Sequence, residues 1–230
     1  MSKPNSTHLT LLLDRSSSMR KETTAMQNAV NAFLKVQKAL SESDGLSLTV
    51  SMVLFNGYVK DKAFHFLSAD EAIATMSNYF CSGGTALYDA VGITAQDVAT
   101  RIMSLESDDQ PEKVIFAIVT DGDESGASRV HSANTVKEIV DFNEATYDWE
   151  FLYIGSNQNA YRSGQNMGIK AGKALSFASS GDGLEKAMEA ICGAVTRYRQ
   201  NGAPSANQFF NAEDHDFQAA LGASASPTHE

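Results

Sequence analysis

Two stretches of this chain are apolar almost without interruption, and each stops on an aspartate. Leu9-Thr10-Leu11-Leu12-Leu13 ends at Asp14, and Val114 to Val119 ends at Thr120-Asp121. A strand with one solvated face alternates apolar and polar residues, whereas a strand covered by helices on both faces reads as a continuous run. Two such runs separated by helical patterns predict an α/β chain built on a mainly parallel sheet. With 230 residues, 43% of them apolar, the chain suits one large domain with a sizeable core better than two full domains.

Helical and strand patterns alternate through the rest of the chain. Met26, Ala29, Val30, Phe33 and Leu40 share one helical face, and Asp44-Gly45 marks a turn. Leu46 to Phe55 is a second strand. Asn56-Gly57 then leads into Tyr58 to Phe66, and this pair predicts a type I′ hairpin turn, with φ > 0 at both residues and an antiparallel third strand. Ser68 and Glu71 have capping-box spacing ahead of a short helix at Asp70 to Met76. Leu87, Val91, Val98 and Ile102 describe another amphipathic helix, and the polar segment Glu106 to Glu112 reads as a loop. Val136, Ile139 and Val140 mark a fourth helix, Trp149 to Ile154 a strand closed by Gly155, and Ala174 to Ala178 a last short strand. Leu184, Met188, Ile191, Val195 and Tyr198 form a final helical stripe. Residues 1–6 are expected to be an extension, 7–202 the domain and 203–230 a flexible tail. Phe209-Phe210 and Phe217 to Leu221 in that tail either pack back or dock on a partner.

Composition removes several function classes. Lys and Arg number 18 against 28 Asp and Glu, a formal charge of −10, which disfavours the phosphate backbone of nucleic acids. Two cysteines, Cys81 and Cys192, build neither a disulfide scaffold nor a Cys-based zinc module, and both are expected as reduced, half-buried thiols. No run reaches the ~18 apolar residues of a membrane span. The polar Met1 to His8 has no signal-peptide core, so the expected location is cytoplasmic. The five histidines include no pair at metal-ligand spacing on a helix.

Three polar clusters fall where elements begin or end: Asp14-Arg15-Ser16-Ser17-Ser18, Gly83-Gly84-Thr85 and Thr120-Asp121-Gly122-Asp123-Glu124. Sites in open α/β sheets form at the carboxyl ends of strands where strand order reverses. If the two continuous strands are neighbours, Asp14 and Asp121 lie side by side. The donors are all carboxylate and hydroxyl oxygens, which suit hard cations such as Mg²⁺, Mn²⁺ or Ca²⁺. The plainer alternative for Asp14, Ser16 and Ser18 is helix capping. Asp123, Glu124 and Asp89 are expected as solvated or capping residues.

In their order and placement, Asp14-x-Ser16-x-Ser18, Thr85 within Gly-Gly-Thr-Ala-Leu-Tyr-Asp-Ala and Asp121 within Val-Thr-Asp-Gly resemble the metal-ion-dependent adhesion site of von Willebrand factor type A domains. The resemblance spans residues 7 to 200. It implies a doubly wound, Rossmann-like sheet, mostly parallel with one antiparallel edge strand and helices on both faces. It further implies that Ser16 and Ser18 ligate a divalent cation, Mg²⁺ by preference, through their hydroxyls. Thr85 would switch between direct and water-mediated contact. Asp14 and Asp121 would hold metal-bound waters or bind directly. A carboxylate from a protein partner would complete the shell. The implied role is a non-enzymatic binding module, with a MoxR-type AAA+ ATPase as one partner class.

Other classes fit less well. Asp121-x-Asp123-Glu124 is similar to the acidic cluster of Toprim domains, a metal-dependent phosphoryl-transfer or nuclease fold, but no matching upstream glutamate is evident. Asp14 is placed like the nucleophile of haloacid-dehalogenase phosphatases, yet the second acid of that pattern is Ser16 here. Ser125 lacks the G-x-S-x-G context of a serine hydrolase, and a Walker A motif is absent. A structural or virion-associated protein with an unused site is the remaining alternative.

Overall fold

The two apolar runs become the two central strands. The computed structural model describes residues 2–57, 64–156, 160–202, 205 and 207–215. Its strands are β1 (Lys3–Asp14), β2 (Ser47–Phe55), β3 (Phe64–Leu67), β4 (Pro111–Thr120), β5 (Glu150–Ser156) and β6 (Ala174–Phe177). They form one sheet in the order β3-β2-β1-β4-β5-β6. Every pairing is parallel except β2 with β3, so the antiparallel strand sits at the edge. This is the doubly wound arrangement expected of the sequence.

The helices are α1 (Thr23–Asp44), α2 (Ala69–Thr75), α3 (Leu87–Met103), α4 (Ala133–Tyr147), α5 (Ala160–Asn166) and α6 (Gly181–Asn201). The residues of α1, α2 and α6 pack with Leu11, Leu13, Ile115, Ala117 and Val119 on one face of the sheet. Those of α3, α4 and α5 pack with Leu12, Phe116 and Ile118 on the other. Successive side chains of β1 and β4 therefore enter opposite cores, which is why both runs had to be apolar throughout. α1 stops at Gly45, whose φ of 68° supplies the left-handed cap. Ser68 and Glu71 satisfy both halves of the capping box on α2. Arg199, buried on α6, donates to the Gln37 carbonyl (2.8 Å) and Oε1 (3.0 Å), to Ser41 Oγ (2.8 Å) and to the Leu46 carbonyl (2.9 Å). It thus ties α6 to the carbonyl end of α1, where a cation is favoured, although burial pulls its pKa down to about 10.

Four expectations are corrected. β1 begins at Lys3, so residues 3–6 are strand rather than extension. A register shift between Lys3 and Thr7 and pairing through polar groups, such as the Glu112 N–H on Ser6 Oγ (3.1 Å), left no apolar signal there. The loop expected at Glu106 to Glu112 is shorter than read, holding a single 3-10 turn at Ser107–Asp109 before β4 starts at Pro111. The Asn56-Gly57 pair does not form a type I′ turn, since neither residue has positive φ. Tyr58 to Ala63 lie outside the described residues, and the pairing Met52↔Phe64 is not the register of a two-residue hairpin. Finally, residues 207–215 belong to the fold. The Gly172 carbonyl accepts the N–H groups of Phe209 (2.9 Å) and Phe210 (3.1 Å), and both rings are buried, Phe209 against Tyr198 and Phe210 against Phe209. Arg197 pairs with Asp214. Gly172 is required there, because a Cβ would lie 2.5 Å from the Asn207 carbonyl oxygen. Phe217 to Leu221 lie outside the described residues.

Candidate functional site

β1 turns toward β2 on one side and pairs with β4 on the other, so the reversal of strand order falls between β1 and β4. The pairing Leu13↔Val119 sets the ends of these strands level. The three polar clusters converge on this point.

Asp14 is fully buried. Its Oδ1 accepts the Ser16 N–H at 2.7 Å and its Oδ2 accepts the Thr120 hydroxyl at 2.7 Å. Burial nonetheless dominates and pushes the carboxyl up to about 6. Ser16 Oγ lies 2.9 Å from Ser18 Oγ, and Ser18 Oγ donates to Asp121 Oδ1 at 2.8 Å. Because the single hydroxyl hydrogen of Ser18 goes to Asp121, Ser16 is the donor to Ser18. Burial also raises the Asp121 carboxyl. Exposure grades outward: Asp14 and Ser16 are buried, Asp121 is half-buried and Ser18 is exposed.

The second loop is pinned to the first by a reciprocal backbone pair. Ser17 donates its N–H to the Gly83 carbonyl (2.9 Å), and Ser82 donates to the Arg15 carbonyl (2.8 Å). Asn56 locks this loop from the β2 side: its side-chain amide donates to the Ser82 carbonyl (2.8 Å) and its carbonyl accepts from Ala86 (2.9 Å). That commitment explains why Asn56 makes no hairpin turn. Thr85 is buried, and Ser125 holds its backbone on both sides. Ser125 Oγ accepts the Thr85 N–H (2.9 Å), while the Thr85 carbonyl accepts the Ser125 N–H (3.0 Å) and hydroxyl (3.0 Å). A Cβ at Gly84 would lie 2.9 Å from Ser125 Oγ, so the close approach needs glycine.

Asp14 at the end of β1 and the other four expected site residues thus lie on segments that are bonded to one another. Ser16, Ser18 and Asp121 form one polar chain, with Asp14 beneath it and Thr85 on the adjoining loop. Among the described residues no Lys, Arg or His forms an ion pair with Asp14 or Asp121. Nor do three His, Cys, Asp or Glu side chains gather in a metal-holding cluster among them. The oxygen set here is two carboxylates and three hydroxyls.

Several supporting roles were not read from the sequence. Thr120 bonds Asp14, and the buried Tyr79 donates its hydroxyl to the Asp14 carbonyl. Asp89, expected to be a solvated or helix-capping residue, is buried and accepts the N–H groups of Arg129 (2.6 Å), Val130 (2.9 Å) and His131 (2.7 Å). Burial pushes its carboxyl up, but these backbone donors together outweigh that and hold it below the usual range. Glu124 does act as a cap, for a helix distant in sequence: it accepts the Tyr88 N–H at the start of α3 (3.1 Å) and both the N–H (3.0 Å) and hydroxyl (2.7 Å) of Ser128. Asp123 bonds the Ser163 hydroxyl.

The sheet order and the helices around it make a von Willebrand factor A-like fold. No family model matches the chain, and no curated protein matches it. Solved structures do match, at the level of fold. Proximal thread matrix protein 1 from the mussel byssus, in a form described with a zinc-occupied adhesion-site motif, superposes with a TM-score of 0.57 at 16% identity, covering 83% of this chain and 46% of that one. The pilus adhesin SpaC of Lactobacillus rhamnosus GG, in its open conformation, gives 0.59 at 14% identity, covering 85% of this chain and 30% of that one. BatB of Bacteroides thetaiotaomicron, a conserved hypothetical protein, gives 0.52 at 13%, covering 84% of this chain and 99% of that one. The chain therefore spans about half the length of the byssal protein and less of the adhesin. Among the described residues no helix is long and apolar enough to cross a membrane.

Proposed function

We infer that this chain is a non-enzymatic protein-binding module that engages an acidic residue of a protein partner through a divalent cation, Mg²⁺ by preference. One observation carries the reading. A fully buried carboxylate, held up near pH 6 by its burial and with no ion pair among the described residues, lies under a chain of two serine hydroxyls and a second carboxylate. A buried anion without a counter-charge is costly to keep, and a cation relieves that cost. Ser16, Ser18 and Thr85 would supply hydroxyls, and Asp14 and Asp121 the negative charge. A cation held by so few carboxylates stays electrophilic and, when bound, supplies the positive charge that attracts an incoming carboxylate. The outward grading from buried Asp14 to exposed Ser18 gives that carboxylate a way in. The byssal neighbour, described with zinc in the corresponding motif, supports divalent cation use on this fold.

Placement disfavours the phosphoryl-transfer alternative. Both oxygens of Asp14 are committed within the fold and the residue is fully buried, so it is not presented as a nucleophile. Asp121 and Asp123 accept from different partners, Ser18 and Ser163. A MoxR-type AAA+ ATPase is the partner class that the family resemblance puts forward. The two half-buried free cysteines agree with a reducing, cytoplasmic setting.

The test is thermal unfolding in EDTA and in Mg²⁺, paired with capture of an acid-presenting partner, the ATPase included, under both conditions. A cation at ~100 times its dissociation constant stabilises by about 2.7 kcal/mol, roughly 5 to 11 °C for a chain of this size. Asp121→Ala is expected to lose both the shift and the Mg²⁺-dependent capture. Equal unfolding and equal capture in EDTA and Mg²⁺ overturn the reading.

A further inference from the structure

Phe80 is the exposed aromatic nearest in sequence to the candidate site. Its neighbour Tyr79 is buried with its hydroxyl on the Asp14 carbonyl, yet Phe80 itself is 68% exposed. Isolated exposed apolar residues are common and ordinarily mean nothing. Phe80 differs in its setting. The loop that carries it is fixed at both ends by the site. Tyr79 anchors one end to Asp14, and the Ser82 N–H on the Arg15 carbonyl, with the Asn56 amide on the Ser82 carbonyl, anchors the other. Among the described residues the other exposed aromatic rings, Phe142 and Tyr147, sit on α4 and pack edge-on against each other at 5.8 Å. Phe80 packs against no other ring among the described residues. A large exposed side chain on a pinned loop brings little backbone ordering cost to binding, which is a property of an interface anchor.

Chain geometry sets its reach. Two residues span at most about 7 Å, and Ser82 is bonded directly to Arg15, one residue from both Asp14 and Ser16. The Phe80 backbone therefore lies within roughly 16 Å of Asp14 and Ser16. In an extended partner segment, residues two or three apart are separated by about 7 to 10 Å, and side-chain length closes the remainder. We propose that Phe80 is a specificity residue of this surface: the partner segment that offers its carboxylate to the site carries an apolar side chain two or three positions away, which rests on the Phe80 ring. The inference depends on the cation reading above and names the partner chemistry that this reading leaves open.

The test uses an array of eleven-residue peptides with a fixed central Asp. Flanking positions are replaced in turn by Leu, Ser or Lys, and a matched set carries Asn at the centre. Wild type and Phe80→Ala are each applied in Mg²⁺ and in EDTA. The expected result is that Leu two or three residues from the Asp raises wild-type binding at least fivefold over Ser. Phe80→Ala erases that preference while keeping the need for Asp and Mg²⁺, and Phe80→Leu retains part of it. Because Phe80 is exposed, its variants should unfold at the wild-type temperature and show the same Mg²⁺ shift. An absent Leu preference, or one unchanged in Phe80→Ala, overturns this inference and leaves the cation reading standing. Binding that survives EDTA or central Asn, or no binding to any peptide, overturns both.

Discussion

Replacing Asp14 with Asn should make the metal-free protein more stable. The fold raises this carboxyl from 3.8 to about 6, chiefly by burial. A tenfold change in an ionisation constant is worth about 1.4 kcal/mol, so at neutral pH the ionised group costs the fold about 3 kcal/mol. Ionisation is harder in the fold than in the unfolded chain. The stability lost to it is therefore intact below about pH 4 and disappears as pH rises through about 6. Asn removes the charge and keeps the packing. Its carbonyl still accepts the Ser16 N–H. Its amide can donate to Thr120 Oγ1, whose own hydrogen then turns to the Gly122 carbonyl, already 3.0 Å away. The net gain should be about 1 to 3 kcal/mol, or roughly 2 to 12 °C for a chain of this length. Urea and thermal unfolding in EDTA at pH 4, 5.5 and 7.5 would follow it. The variant should exceed wild type at 7.5, by less at 5.5 and by nothing at 4. In Mg²⁺ the order should narrow or reverse, because only wild type gains. An Asn variant less stable than wild type in EDTA at pH 7.5 would refute the buried-charge argument, and one that still gains from Mg²⁺ would remove Asp14 from the cation site.

Three further changes probe the frame around the site. Asp89→Ala removes the acceptor shared by three part-buried N–H groups at residues 129–131 and should cost about 1 to 3 kcal/mol in a urea melt at pH 7; the depressed Asp89 carboxyl means this loss should shrink as pH falls through its folded-state pKa. Arg199→Met strips four donated bonds from the carbonyl end of α1 and should lower stability by about 3 kcal/mol, with Arg199→Lys intermediate, both read by thermal unfolding. Gly172→Ala drives a methyl into the Asn207 carbonyl and should cost about 1 to 3 kcal/mol; limited proteolysis should then cut at Phe209 or Phe210, which are protected in wild type.

The legible parts of the fold were those whose burial leaves a period in the sequence. Leu9 to Leu13 and Val114 to Val119 announced two central strands because each must fill two cores at once. α5 was not anticipated, and its packing explains the silence. It approaches the sheet through Ala160 and Gly164 rather than through an apolar stripe. A Cβ at Gly155 would lie 2.9 Å from that of Ala160, and one at Gly164 would lie 3.4 Å from that of Tyr153. Small residues chosen for close approach carry no periodic signal. Asn56-Gly57 misled for the opposite reason: a strong local turn pair was recruited by a tertiary contact with the Ser82 loop. The five candidate site residues could be read directly, since each cluster is short and contiguous. Their supports could not. Tyr79 reaches Asp14 across 65 positions, and Ser125 reaches Thr85 across 40.

The division between these two groups of residues has a functional logic. The supports act on backbone: Tyr79 on the Asp14 carbonyl, Asn56 on Ser82 and Ala86, Ser125 on both peptide groups of Thr85. They fix the loops without using the side-chain oxygens of Ser16, Ser18 and Asp121. Within that chain each serine donates its one hydrogen and keeps lone pairs in reserve, two on Ser16 and one on Ser18. On the proposed reading, admitting a cation then asks little of the protein. The Ser18 hydrogen can stay on Asp121, and the Ser16 hydrogen has to turn away from Ser18. A site that rearranges by rotating a hydroxyl on a fixed backbone avoids the ordering cost that weakens flexible sites. The burial of Asp14 would supply the complementary contribution, because the charge that destabilises the metal-free fold is the charge that would draw a cation in.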